Sequence, residues 1–139
     1  MKPLYTTIAV AQGGQQCRVR STDPLLDLPI APPKSLGGPG GDGTNPEQLL
    51  AAGYAACFES ALRLVARRQR RTLHEVEVTA RLTLGQDDAG AFQIAVALRS
   101  RIAGVGREDA QALMEAAHDI CPYSNATRGN VNVELVAEA

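Results

Sequence analysis

The stretch Gly43 to Phe58, GTNPEQLLAAGYAACF, constrains the fold more than any other part of the chain. It opens as a helix start. Asn45 suits the N-cap, Pro46 fits the first helical position, and Gln48 completes an approximate capping box. From Leu49 to Phe58 no side chain is charged. A helix there has no solvent face and is expected to be buried all round. Five of those ten residues are Ala or Gly, which lets another backbone come close. Cys57 sits near the end of the run. A cysteine inside a dry helix usually behaves as an inert small hydrophobe, and this stretch alone gives Cys57 no other part.

With 139 residues the chain is read as a single domain, 1–139, long enough for a real core. It is 45% hydrophobic and 21% charged, an ordinary globular balance. A formal net charge of -1 gives no electrostatic reason to expect nucleic acid or an anionic membrane. Three tyrosines and two phenylalanines make no platform for stacking bases. Met1 to Gln12 lacks the continuous apolar core of a signal peptide, and the longest charge-free apolar run stops at Glu59, too short to span a bilayer. Three cysteines do not suit a secreted disulfide scaffold. The expectation is a cytoplasmic protein with reduced thiols, bound to neither membrane nor nucleic acid.

Leu4 to Ala11 and Gln15 to Thr22 read as strands joined at Gly13-Gly14, and Leu25 to Ile30 as a third. In the second strand Cys17 and Val19 share one face, Arg18 and Arg20 the other. Lys34 to Gly43, KSLGGPGGDG, is half glycine. It is neither helix nor central strand, and a compact loop packed close to something fits better than a free linker. The helix from Asn45 is expected to run to about Arg71, its RRQRR end complementing the C-terminal dipole. His74 to Leu84 alternates, with Val76, Val78, Ala80, Leu82 and Leu84 inward. GQDDAG turns the chain into a strand marked by Phe92, Ile94, Val96 and Leu98. Arg107 to Ile120 is a second helix with Ala110, Leu113, Met114, Ala117 and Ile120 near one face, ended by Pro122. Asn130 to Ala137 is a last strand. The order predicts an α+β fold with antiparallel sheet.

Cys57 and Cys121 lie 121 − 57 = 64 positions apart, and their spacing fits no zinc pattern. Neither His74 nor His118 has a partner at ligand spacing, so metal is not expected. A Cys57 nucleophile with a histidine base is a conceivable alternative, but nothing in the sequence puts a histidine near it. Two helices each bringing one cysteine to a shared apolar interior is a different design. One thiolate attacks an oxidant, and the other captures the sulfenic acid as a disulfide. The run after Cys121, CPYSNATRGN, suits that design as a rigid turn beside the thiol.

GTNPEQLLAAGYAACF, CPYSNATRGN and the preceding GGPGG at Gly37 to Gly41 together resemble the organic hydroperoxide resistance (Ohr) branch of the OsmC/Ohr family, in order along nearly the whole chain. The resemblance implies a thiol peroxidase acting on alkyl and fatty-acid hydroperoxides. It implies an intertwined homodimer, sheets sandwiching the central helices, with two sites at the subunit interface. It implies Cys57 as peroxidatic cysteine, Cys121 as resolving cysteine and Glu47 as an active-site carboxylate. No bound cofactor is implied. The expected reductant is a dithiol, dihydrolipoamide or a lipoylated protein.

One position departs from the branch. After the first Gly-Gly, where its members usually carry a thiolate-pairing arginine, stands Gln15, which offers only a neutral hydrogen bond. Arg18 is the nearest cation in sequence and is expected to take over thiolate activation, through a bulge after the turn. Arg20 and Arg128 are further candidates. A redox sensor, a general OsmC-type peroxidase and an apolar-ligand binder with structural cysteines are the competing readings. Cys17 is expected to be a buried, inert thiol.

Overall fold

The computed structural model describes residues 1–138, in two compact units, residues 1–49 and 50–139. In the first, β1 (Ala9–Gln12), β2 (Arg18–Ser21) and β3 (Asp27–Pro29) form an antiparallel meander. The strands are shorter than the apolar pattern suggests. β2 has only four residues to pair, and it is closed at the far end by a turn in which Ser21 Oγ and the Leu25 N–H bond Asp23.

The glycine-rich segment is a compact loop containing one 3₁₀ turn at Lys34–Leu36. Its ends are clipped together by Ala31 N–H to Thr44 O and Thr44 N–H to Pro29 O, both at 2.8 Å. Two of its glycines are required by close approach. A Cβ on Gly38 would lie 2.3 Å from the Pro32 carbonyl oxygen, and one on Gly43 would lie 2.5 Å from the Ala31 Cβ.

Helix α1 (Pro46–Arg68) begins as expected, with the Gln48 N–H bonding Asn45 Oδ1 at 2.8 Å. The Gln48 side chain reaches back to the Thr44 hydroxyl at 2.9 Å. The helix stops at Arg68 rather than Arg71. Arg70 turns left-handed (φ 59), and Arg71 N–H reaches back to Ala66 O at 2.8 Å, the bond that closes such a helix end.

At 23 residues and a hydropathy of 1.4, α1 is long and apolar enough to cross a bilayer, a length that the uninterrupted run to Glu59 understates. Its face carrying Tyr54, Phe58, Ala61, Leu62, Val65 and Ala66 is buried in the core. The opposite side is not: Ala52 and Ala56 are exposed, so within this chain the charge-free run is not buried all round.

The second unit holds the long hairpin β4 (Val76–Gln86) and β5 (Phe92–Ile102), paired from Val76↔Ile102 to Gln86↔Phe92. After it come α2 (Arg107–Ile120), α3 (Pro122–Thr127) and β6 (Asn132–Glu138). β6 lies beside β5 and runs parallel to it, Ala95↔Asn132 to Arg101↔Glu138. The α+β class is as read, with the strands in two three-stranded sheets, but this one pairing is not antiparallel. The connection through α2 carries the chain back to the end of the sheet where β5 began, and a helix crossover of that kind delivers a parallel strand.

α2 spans the expected residues, and Ala110, Leu113, Met114 and Ala117 recur at helical spacing on its buried face. They pack with the α1 face and with Val96, Leu98 and Ile102 of β5. Phe92 is 71% exposed, because the hairpin tip projects past the point where β6 begins to cover β5.

Candidate active site

Cys57 lies on α1, half-buried and one turn beyond Tyr54. Cys121 lies at a break. Pro122 disfavours helical backbone in the residue before it, and Cys121 is extended (φ -65, ψ 125) between the last residue of α2 and the first of α3. Pro122 then takes the first helical position, so the CPYSNATRGN motif is a one-residue kink followed by a short helix. Arg128 fastens the kink from behind. Its guanidinium donates to the otherwise orphaned His118 carbonyl at 2.7 Å and to Asn125 Oδ1 at 3.4 Å. That geometry makes Arg128 a side-chain cap for α2.

The kink turns the Cys121 thiol, 0% exposed, towards α1, where it donates to Cys57 Sγ at 3.4 Å. Both thiols are free. A disulfide needs about 2.05 Å, so the pair is poised rather than joined. Burial pushes the Cys57 thiol above its ordinary pKa. The Tyr123 backbone N–H opposes the rise and the adjacent Cys121 thiol adds to it.

Sequence reading missed the polar contacts beside the thiols. Tyr54 Oη lies 2.9 Å from Ser124 Oγ and 3.3 Å from Thr127 Oγ1. The Tyr123 ring packs tilted against Tyr54 with centroids 5.6 Å apart, and its hydroxyl occupies the space where a Cβ on Gly53 would meet it at 2.7 Å. The available signal was an offset: Tyr54 stands three residues before Cys57, and Ser124 three after Cys121.

Of the other candidates, Glu47 is half-buried in the first turn of α1. It is ten residues from Cys57 on one continuous helix, hence about 15 Å along the axis and about 80° around it. Arg18 and Gln15 belong to the first unit. Arg18 Nε bonds Asp27 Oδ1 at 2.9 Å across the meander, and Gln15 is exposed beside the Gly13-Gly14 turn. Cys17 is half-buried, its thiol 3.4 Å from Gly14 O. His74 is exposed. His118 is half-buried, and desolvation, with Arg128 nearby, holds its pKa below the usual histidine value while Asp119 pulls it up.

Two three-stranded sheets with helices in this order make up the fold of OsmC-like proteins. The family model of that description matches residues 38–136, and the chain belongs to this family. Several of its relatives are named organic hydroperoxide resistance protein. It is 49% identical over 135 residues to the organic hydroperoxide resistance protein of Xanthomonas axonopodis pv. citri (strain 306), covering 96% of this chain and 94% of that one. It is 46% identical over 144 residues to organic hydroperoxide resistance protein OhrA of Bacillus subtilis (strain 168), covering 99% of both. Among solved structures, an organic hydroperoxide resistance protein OsmC from Legionella pneumophila superposes with a TM-score of 0.92 at 51% identity, over 99% of this chain and 100% of that one.

Proposed function

We propose that the protein reduces organic hydroperoxides with its two facing thiols. The observation that carries this is the 3.4 Å approach of half-buried Cys57 to fully buried Cys121 in a chain whose relatives are named for organic hydroperoxide resistance. The Cys57 thiolate attacks the terminal peroxide oxygen, the O–O bond breaks, and the alcohol leaves with a proton. Cys57 is left as the sulfenic acid. Cys121 attacks that sulfur, the S–S bond forms, and water leaves. The hydroperoxide gains two electrons and the thiol pair loses them. A dithiol reductant, dihydrolipoamide or a lipoylated protein, resets the pair in the cytoplasm. The charge-free run from Leu49 to Phe58 around Cys57 favours alkyl over hydrogen peroxide as substrate. Turnover with an alkyl hydroperoxide and dihydrolipoamide, against little with hydrogen peroxide or glutathione, is the expected assay result. No alkyl hydroperoxide consumption with any dithiol rejects the reading.

The working form in this reading is a homodimer with sites at the subunit interface. Two observations support it: Ala52 and Ala56 leave a small-residue stripe exposed along α1, and Glu47 lies too far along its own helix to serve Cys57 of the same chain.

A raised thiol pKa leaves little thiolate at neutral pH, and Cys57 lies three turns from the helix N-terminus, beyond useful help from the dipole. A cation is needed, and Arg18, released from Asp27, is the proposed source in place of the neutral Gln15. Alkylation of Cys57 followed against pH tests this. Arg18→Ala is expected to move the midpoint upward and Gln15→Arg to bring it back. An unmoved midpoint in Arg18→Ala excludes Arg18.

A further inference from the structure

We infer that Tyr54 and Ser124 are positioning residues for the second chemical step, holding Cys121 against Cys57 through a closed ring of hydroxyl bonds; this rests on the thiol-pair reading above. Tyr54 is 1% exposed and Ser124 0%. The Thr127 hydroxyl donates to the Ser124 carbonyl at 3.1 Å. With that proton committed, Thr127 Oγ1 accepts from the Tyr54 hydroxyl at 3.3 Å, and Tyr54 Oη accepts from Ser124 Oγ at 2.9 Å. Every hydroxyl proton is used, in one direction around the ring.

The ring ties α3 to α1 one turn from the thiols on both sides. On α1, residues three apart share a face, so Tyr54 and Cys57 look the same way. Ser124 stands at the same offset beyond Cys121. The two helices are therefore joined by two adjacent cross-links, one of oxygen atoms at 2.9 Å and one of sulfur atoms at 3.4 Å. Cys121 is the single extended residue between two helices, its N–H bonded to Ala117 O at 2.8 Å and its carbonyl accepting from the Asn125 N–H at 2.9 Å, so the direction in which it presents its thiol follows how α3 is held against α1.

The tie bears on the resolving step and not on the first. Attack of Cys57 on the hydroperoxide forms no bond to Cys121. Capture of the sulfenic acid asks Cys121 Sγ to close from 3.4 Å to about 2.05 Å. The competing reaction is attack of the sulfenic acid on a second hydroperoxide, which gives the sulfinic acid and a second alcohol. A loosened kink shifts the partition towards that product.

The test is mass spectrometry of Cys57 after graded cumene hydroperoxide, with the rate of the first step read in parallel by stopped flow. Tyr54→Phe keeps the ring and removes the hydroxyl, and Ser124→Ala removes the partner. Each is expected to raise the sulfinic-to-disulfide ratio about tenfold, the effect of one ordinary buried hydrogen bond, with the first-step rate unchanged. The double variant is expected to match Tyr54→Phe, because that change already removes the bond Ser124→Ala would remove. An unchanged ratio in both single variants overturns the proposal. So does a first step slowed as much as the second, or a double variant in which the two effects multiply. If the wild-type chain itself forms neither sulfenic acid nor disulfide, the peroxidase reading fails instead.

Discussion

Cys57→Ser is expected to lower hydroperoxide reduction by on the order of a thousandfold or more, the scale of losing a nucleophile. Cys121→Ser is expected to behave differently, consuming about one equivalent of hydroperoxide per chain when it is limiting and not turning over. The asymmetry follows from exposure. Cys57 is half-buried and can meet a substrate, whereas Cys121 is wholly enclosed and reaches only Cys57. The stalled Cys121→Ser chain should carry a mass gain of one oxygen at Cys57, passing to two with excess hydroperoxide. Normal turnover of Cys121→Ser with a dithiol would mean that external thiols reach the sulfenic acid directly. The paired-thiol cycle would then be wrong.

Mixing two inactive variants is expected to regain activity. Glu47→Ala removes the carboxylate and Cys57→Ser the nucleophile, and each homodimer should be dead. In a heterodimer, one site combines intact Cys57 with the partner's Glu47, and the other site combines both lesions. Random reassortment makes half the dimers mixed, so about a quarter of the wild-type sites should return. The reason lies in helix geometry. Ten residues of continuous α1 separate Glu47 from Cys57 in one chain, about 15 Å that no glutamate side chain spans. In the proposed dimer, an antiparallel second copy of α1 packed on exposed Ala52 and Ala56 would remove that distance. No regained activity, with mixed dimers verified by native mass spectrometry, would place the whole site within one chain.

Local rules carried much of the fold. The Asn45 cap, the alternation from Val76 to Leu84 and the spacing Ala110, Leu113, Met114, Ala117 each encode one element through nearest-neighbour geometry, and each is present. Contacts between distant segments were less legible. The parallel docking of β6 depends on where the α2 crossover delivers the chain, which no period in the strand reveals. The run around Cys57 read as buried on every side because composition reports the absence of charge but not whether this chain covers each face. The proximity of Cys57 and Cys121 could be guessed only from their motifs. The Tyr54 ring was invisible because a tyrosine, a serine and a threonine at helical spacing carry no motif of their own. Arg18 looked like a free cation because its bond to Asp27 is made across two strands, diagonal to the Arg20↔Asp27 register.

The parallel pairing of β5 with β6 has a bearing on when the thiols meet. Cys121 belongs to the connection between these two strands and not to the sheet itself. Its position opposite Cys57 closes a loop of 64 residues, and the strand that completes the crossover lies at the far end of the chain. Contacts of such long sequence separation carry the largest loop-closure entropy and are the slowest to be established as a chain folds. The thiol pair, itself a contact across 64 residues, is thus expected to be assembled late. A substitution that weakens the docking of β6 can loosen the spacing of the sulfurs without touching either cysteine.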